Sequence, residues 1–191
     1  AQNKWLKNAS IVCEVNKKEI NVNIPSISPM SIRKVPFKVD YPNSVIDNEK
    51  VNVLLTLKNI EGKILSTDTI SLNVKSRYKH HKRTFISSID GSVQYYSVAP
   101  SSNPNIENPA MFLSVHGASV EAVNQANAYD QKDWGHLVAP TNRRPYGFAW
   151  ENWGRIDALE VLNHAEQLFK TDPMRTYLTG HSMGGHGTWQ L

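Results

Sequence analysis

Three apolar runs constrain this chain more than anything else in it. They are PAMFLSVHG (109–117), WGHLVAPTN (134–142) and MRTYLTGHS (174–182), the last entered through Pro173. Unbroken apolar strands suit a sheet covered on both faces. Segments with helical spacing lie between them. SVEAVNQANAYDQKD (119–133) places Ala and Val at helical intervals. ENWGRIDALEVLNHAEQLF (151–169) reads as an amphipathic helix with Ile156, Leu159, Val161, Leu162 and Leu168 as its apolar stripe. Strand, helix, strand, helix, strand predicts an α/β unit with a parallel sheet.

Upstream the rhythm is different. Residues 1 to about 80 carry short β-rich runs: ASIVCEV, EINVNI, SIRKVPFKVD, KVNVLLTLKN and KILSTDTISLNVK. Turn signals separate them, namely NKK, PSISP, YPNSVIDNE and NIEGK. The last two of these runs predict a hairpin turning at Gly62. We expect a small antiparallel β-sandwich over 1–80, followed by an α/β domain over 81–191 that opens with a hairpin at Asp90–Gly91. The expected role of the first half is structural: packing on, or shielding, the second. A glycan-binding face is the sharper alternative, resting on Trp5, Phe37, Tyr41 and Tyr78.

Charge narrows the partners. The formal net charge is +4, and five of the 21 Lys and Arg fall in KSRYKHHKR (75–83). The rest of the chain is near neutral, and no recognised nucleic-acid module surrounds the basic run, so a nucleic-acid partner is not expected. His80 and His81 are adjacent on an extended segment, where side chains alternate faces, so no metal site is expected there. No apolar run approaches the roughly 18 residues of a membrane span. The single cysteine, Cys13, precludes an intrachain disulfide and sits in a strand-like run as a small hydrophobe. The start AQNKW, without Met, fits a mature secreted or periplasmic protein or a trimmed chain.

The chemistry concentrates at the end of the third run. Gly180-His181-Ser182-Met183-Gly184 fits G-x-S-x-G, and Gly185 comes next. The chain reverses there from strand to helix so sharply that the serine is held in a strained conformation. Side chains two residues before and after it would collide, so both positions call for glycine. The hydroxyl then stands at the sheet edge with a helix N-terminus behind it. At the end of the first run, His116–Gly117 begins a second loop. One oxyanion donor is expected from the amide of Met183 and the other from Ala118.

Together, LSVHGAS, DWGHLVAPTNRRPYGFAWENWGRIDALEVL and RTYLTGHSMGGHGTW resemble the α/β-hydrolase serine enzymes of the prolyl oligopeptidase-like group. Secreted esterases related to polyhydroxybutyrate depolymerases and feruloyl esterases are similar in pattern. The resemblance covers about residues 84–191. It implies acyl transfer to Ser182 and hydrolysis by water, on a peptide or ester substrate, with no cofactor. It also implies an acidic residue and a histidine after the serine in chain order. Of the candidates present, His186 shares the serine's helix, His116 lies on the wrong side, and Asp157 and Glu160 are expected as a solvated or capping pair. We therefore expect the first part of a longer hydrolase, inactive by itself, that needs the C-terminal remainder. A non-catalytic scaffold and a glycan-binding carbohydrate esterase are the competing readings. TNRRPYGFAWENWG (141–154) is the expected pocket segment, with Arg143, Arg144, Tyr146, Phe148, Trp150 and Trp153 lining a cleft or packing on the β-half.

Overall fold

A computed structural model describes residues 3–39, 49–144 and 146–191. Tyr41, most of the turn run YPNSVIDNE, and Pro145 of the expected pocket segment lie outside the described residues. Two compact units form, residues 1–75 and 76–191.

The first unit is an antiparallel sheet. Its strands are β1 (Ser10–Val15), β2 (Lys18–Asn23), β3 (Lys50–Lys58) and β4 (Ile64–Asn73), in the order β2-β1-β3-β4. Asn16 and Lys17 both take positive φ between β1 and β2, as a two-residue hairpin turn matched to strand twist demands. At the β3–β4 turn, Gly62 has φ 79°, and the Asn59 side-chain oxygen accepts from the amides of Glu61 and Lys63. Alternation puts Cys13, Val15, Val51 and Val53 on one face, where they form a core with Ile20, Phe37, Val39, Leu55 and Val74. The run 31–39, a strand by its sequence, forms none; Pro36 denies it a ladder donor. All ten residues of β4 are exposed, so its Ile70 and Leu72 face water although their partners Val53 and Val51 are buried.

The second unit has a mixed five-stranded sheet flanked by helices. The strands are β5 (His81–Ile86), β6 (Val93–Ala99), β7 (Ala110–Val115), β8 (Gly135–Ala139) and β9 (Thr176–Gly180). Their order is β5-β6-β8-β7-β9. β8, β7 and β9 run parallel, and β6 joins β8 antiparallel as part of the β5–β6 hairpin. Asp90–Gly91 makes that hairpin's turn, with Asp90 accepting from the Ser92 amide. One face of the sheet packs Val98, Met111, Leu113, Val115 and Val138 against α2 (Asn152–Phe169). The other packs Ala99, Leu137 and Ala139 against α1 (Ala122–Asn127), which is shorter than the expected 119–133.

Two expectations change here. α2 buries only part of the stripe read from its sequence. Val161 is buried and Leu162 packs on the core, but Ile156, Leu159 and Leu168 are exposed, and the other buried residues are Gly154, Asp157, Ala158 and Ala165. Small side chains let the helix axis approach the sheet, so the contact face is marked by size rather than by hydropathy. The third run is a sheet edge among the described residues, with Tyr177 and Leu178 partly open to water. No helix of the described residues is long and apolar enough to cross a membrane.

Candidate active site

Parallel pairing brings the second unit's two loops together. Val115 ends β7 directly opposite Gly180, which ends β9. The loops beyond them, 116–118 and 181–182, therefore leave the sheet side by side at the carboxyl ends of its strands, where open α/β sheets bind ligands.

Ser182 sits between β9 and α3 (Met183–Gln190) with φ 55° and ψ −119°. This φ is positive, yet ψ is far from the left-handed helical well near +47°. A serine there carries roughly 1–3 kcal/mol of backbone strain. The residue is exposed, and among the described residues no side chain hydrogen-bonds its hydroxyl. The tight reversal is tied by the Gly184 amide donating to His181 O at 2.8 Å and the His186 amide donating to Ser182 O at 3.2 Å.

The glycines make this reversal sterically possible. A Cβ on Gly180 would collide with the backbone of Gly184, and one on Gly184 would collide with the carbonyl of Val115. Gly185 has no such crowding, its nearest atom being Gly180 O at 3.9 Å. A Cβ on Gly117 would stand 3.5 Å from the Ser182 Cβ and 3.2 Å from His181 O. Gly117 thus faces the serine, and the exposed Ala118 comes next in the chain. Met183 is the first residue of α3 and is partly buried.

Each histidine has its own surroundings. His116 is fully buried, with Nδ1 2.9 Å from Gly117 O and Nε2 3.1 Å from Thr141 O. His186 turns to Glu151, Nε2 to Oε1 at 2.9 Å. His181 is exposed beside Gly117. His80 reaches Tyr129 O, His81 reaches Lys79 O, and His164 meets the Tyr96 hydroxyl. His136 accepts from the Ser101 amide and stacks on Phe169. Burial pushes its pKa down to about 4, in keeping with an unprotonated Nδ1 as acceptor. All seven histidines of the chain are thereby accounted for, and none meets the serine hydroxyl.

Behind the loops lies a polar cluster that residue spacing does not reveal. Asp157, expected at a solvated position, is fully buried. It accepts from Thr141 Oγ1 at 3.3 Å, and its Oδ1 is 3.2 Å from Arg143 Nε. That pair is close enough for ionic attraction but lacks the alignment of a hydrogen bond. Arg143 also approaches Glu160 at 3.6 Å and Asp90 at 3.3 Å. Glu160 accepts from the hydroxyls of Ser87 and Ser88 and from the Ser88 amide. Burial raises the Asp157 pKa, against the opposing pull of Arg143, the Thr141 hydroxyl and nearby amides.

The expected pocket segment is divided by this cluster. Arg143 points inward to the carboxylates. Trp150 is fully buried, donates Nε1–H to His116 O at 3.0 Å, and lies where a Cβ on Gly187 would strike it. Tyr146 and Trp153 remain exposed, and Arg144 lies over the Phe148 ring. One sequence signal does exist: Gly154, Asp157, Ala158 and Val161 share a helix face, and an acid among small residues marks a buried partner.

No family model matches the chain, and no curated protein matches it. Among solved structures, a thermostable esterase aligns over 96% of this chain and 64% of its own length, at 16% identity and TM-score 0.43. Fluorophosphonate-binding serine hydrolase F of Staphylococcus aureus, solved with substrate bound, aligns over 57% of this chain and 49% of its own, at 19% identity and TM-score 0.46. A structure from a study of two prolyl endopeptidases aligns over 73% and 24%, at 15% identity and TM-score 0.40. The chain spans less than two thirds of the length of each of these proteins.

Proposed function

We propose that the 76–191 unit carries the nucleophile of a serine hydrolase acting on a carboxylic ester or peptide bond. The observation that carries this reading is the backbone of Ser182, strained at φ 55°, ψ −119° yet exposed at a strand–helix junction. Backbone strain at an exposed residue, held in place by the turn around it, is a mark of function. In the reaction, Ser182 Oγ attacks the acyl carbonyl carbon and its proton passes to a general base. The oxygen gains negative charge and is met by the amides of Ala118 and Met183. Collapse expels the alcohol or amine, which takes the proton, and water then releases the acyl group by the same path. His116, His181, Gly117, Gly180, Gly184 and Gly185 shape the two loops and take no proton.

The base and its acidic partner are proposed to come from residues beyond Leu191. A serine hydroxyl is a poor nucleophile without a base, and among the described residues no histidine hydrogen-bonds that hydroxyl. A fluorophosphonate probe tests this on protein extended past residue 191. Labelling that maps to Ser182 and disappears in Ser182→Ala supports the reading. A folded, extended protein that takes no label refutes it. Residues 1–191 alone should label only at background.

A second reading adds a glycan-binding role to the first unit. A groove of about 450 Å³ there is lined by Trp5, Ser26, Ile27, Ser28, Ile32 and Arg33, and Trp5 is exposed. An indole face beside hydroxyls and a guanidinium suits a sugar ring. Retention on insoluble glycans that Trp5→Ala abolishes would support it, and equal retention of both proteins would end it.

A further inference from the structure

We propose that Asp157 and Arg143 are positioning residues for the oxyanion loop, acting through Thr141 and His116 to fix the backbone at Gly117–Ala118 beside Ser182. This rests on the serine hydrolase reading.

The connection runs from atom to atom. Asp157 on α2 holds the Thr141 hydroxyl, and that hydroxyl also accepts from the Arg143 amide at 3.2 Å. The chain then turns through Asn142 and Arg143 at φ 55° and 63°, two successive non-glycine residues in the left-handed region. Such a turn needs outside support. It comes from the Asn142 side chain, fully buried and wedged against Gly147 and Gly154, and from the Arg143 guanidinium among Asp157, Glu160 and Asp90. The turn leaves the Thr141 carbonyl 3.1 Å from His116 Nε2. His116 accepts at its own carbonyl from Trp150 Nε1–H, and its Nδ1 lies 2.9 Å from Gly117 O. Residue 116 is thus pinned at ring and backbone. One residue later the chain faces Ser182, and Ala118 is next.

The energetics favour a geometric role over a stabilising one. Desolvation outweighs Arg143 in setting the Asp157 pKa. A buried pair is weak support for stability, and removing one partner is costly where it leaves the other charge uncompensated. Arg143 keeps Glu160 and Asp90 as partners when Asp157 is neutral.

The test uses Asp157→Asn in the extended protein, with two readouts. The first is fluorophosphonate inactivation, resolved into its limiting rate and its half-saturating concentration. The second is amide hydrogen exchange over 116–119 and, separately, over β7. Loss of a whole oxyanion donor costs roughly 10²–10³ in rate, so a displaced donor should lower the limiting rate about tenfold and leave half-saturation unchanged. Exchange over 116–119 should rise about tenfold while β7 keeps its protection. Arg143→Lys should lower the rate less. Glu166→Gln, on the same helix but bonded to Thr176, should change neither readout. Unchanged rate and exchange in a folded Asp157→Asn protein would overturn the proposal, as would loss of protection spread equally over β7. If Asp157→Asn does not fold, Thr141→Val removes the hydroxyl that Asp157 holds and is judged by the same criteria. If the unsubstituted protein takes no label, the hydrolase reading fails, and exchange at 116–119 still decides whether Asp157 fixes the loop.

Discussion

Among the turns of the 76–191 unit that hold residues at positive φ, two do so by opposite means. At the elbow one residue is strained, Ser182, and it stands exposed between glycines whose missing side chains let β7, β9 and α3 close up. In the loop between β8 and α2 and the first residue of α2, five non-glycine residues take positive φ: Asn142, Arg143, Ala149, Trp150 and Asn152. At three of them the cost is offset by their surroundings, since Asn142 and Trp150 are wholly enclosed and Arg143 is set among carboxylates, while Asn152 is exposed. Strain that packing repays marks a support. The exposed elbow, whose ψ lies outside the left-handed well, is where we propose that chemistry is done.

The largest expected effect separates the two kinds of space. In Gly184→Ala the new Cβ meets the carbonyl of Val115, and Val115 C and His116 O also lie within 3.0 Å. All of these are backbone atoms, so a strand or a helix must move. We expect a loss of roughly 3 kcal/mol or more, read by urea denaturation. In Gly154→Ala the obstruction is the Asn142 side chain, and the expected loss is smaller, about 1–2 kcal/mol. The two cases part in a double-mutant cycle. Asn142→Ala should recover part of the Gly154→Ala loss, because it removes the obstructing atoms. No side-chain truncation should rescue Gly184→Ala. Strict additivity of Asn142→Ala and Gly154→Ala would show that the wedge of Asn142 is not what holds the loop.

The same contrast explains how far the sequence alone can be read. The elbow is legible because its physics acts within five residues: glycines at 180 and 184 are demanded by the reversal itself. The hairpins at Asn16–Lys17, Gly62 and Asp90–Gly91 are legible for the same local reason. The support loop is not. Thr141, Arg143, Trp150 and Asp157 meet only when β8 and α2 pack, and the one local signal is the helix face that Asp157 shares with Gly154, Ala158 and Val161. An acid on an amphipathic helix ordinarily faces water, and that hides the burial of Asp157. The α2 stripe misleads in part, because Gly154, Ala158 and Ala165 are buried beside Val161 while Ile156, Leu159 and Leu168 are exposed. In 31–39 the signal against a strand is Pro36.

The support loop also predicts a pH dependence whose sign is diagnostic. Burial raises the Asp157 pKa above its ordinary value of 3.8. Between the unfolded and folded values the native state therefore holds more proton than the unfolded chain. Stability from this group is full below the unfolded pKa and is lost as pH rises through the folded one. Asn at 157 does not titrate. The stability of the unsubstituted protein relative to Asp157→Asn should thus be greatest in acid and shrink as pH rises from about 4 towards neutrality. Paired urea titrations across that range would read it. A relative stability that grew with pH would mean that Arg143, not desolvation, governs the carboxylate, and the pair would then count as a stabilising contact.

The smallest effect is the sharpest test of the exposed strain. At φ 55°, ψ −119° the cost falls on any residue with a Cβ, so Ser182→Ala should leave stability nearly unchanged while removing the hydroxyl. Ser182→Gly removes the Cβ itself. Relief of roughly 1–3 kcal/mol of strain, less the roughly 0.5–1 kcal/mol of added chain entropy that glycine brings to the unfolded state, leaves a gain of about 1 kcal/mol. Both proteins lack the nucleophile, so the difference between them reports backbone strain less the chain entropy of glycine. A Ser182→Gly protein less stable than Ser182→Ala by roughly 0.5–1 kcal/mol, the entropy cost alone, would mean that the elbow stores no strain, and the case for Ser182 as the exposed, functional member of the pair of turns would lose its physical basis.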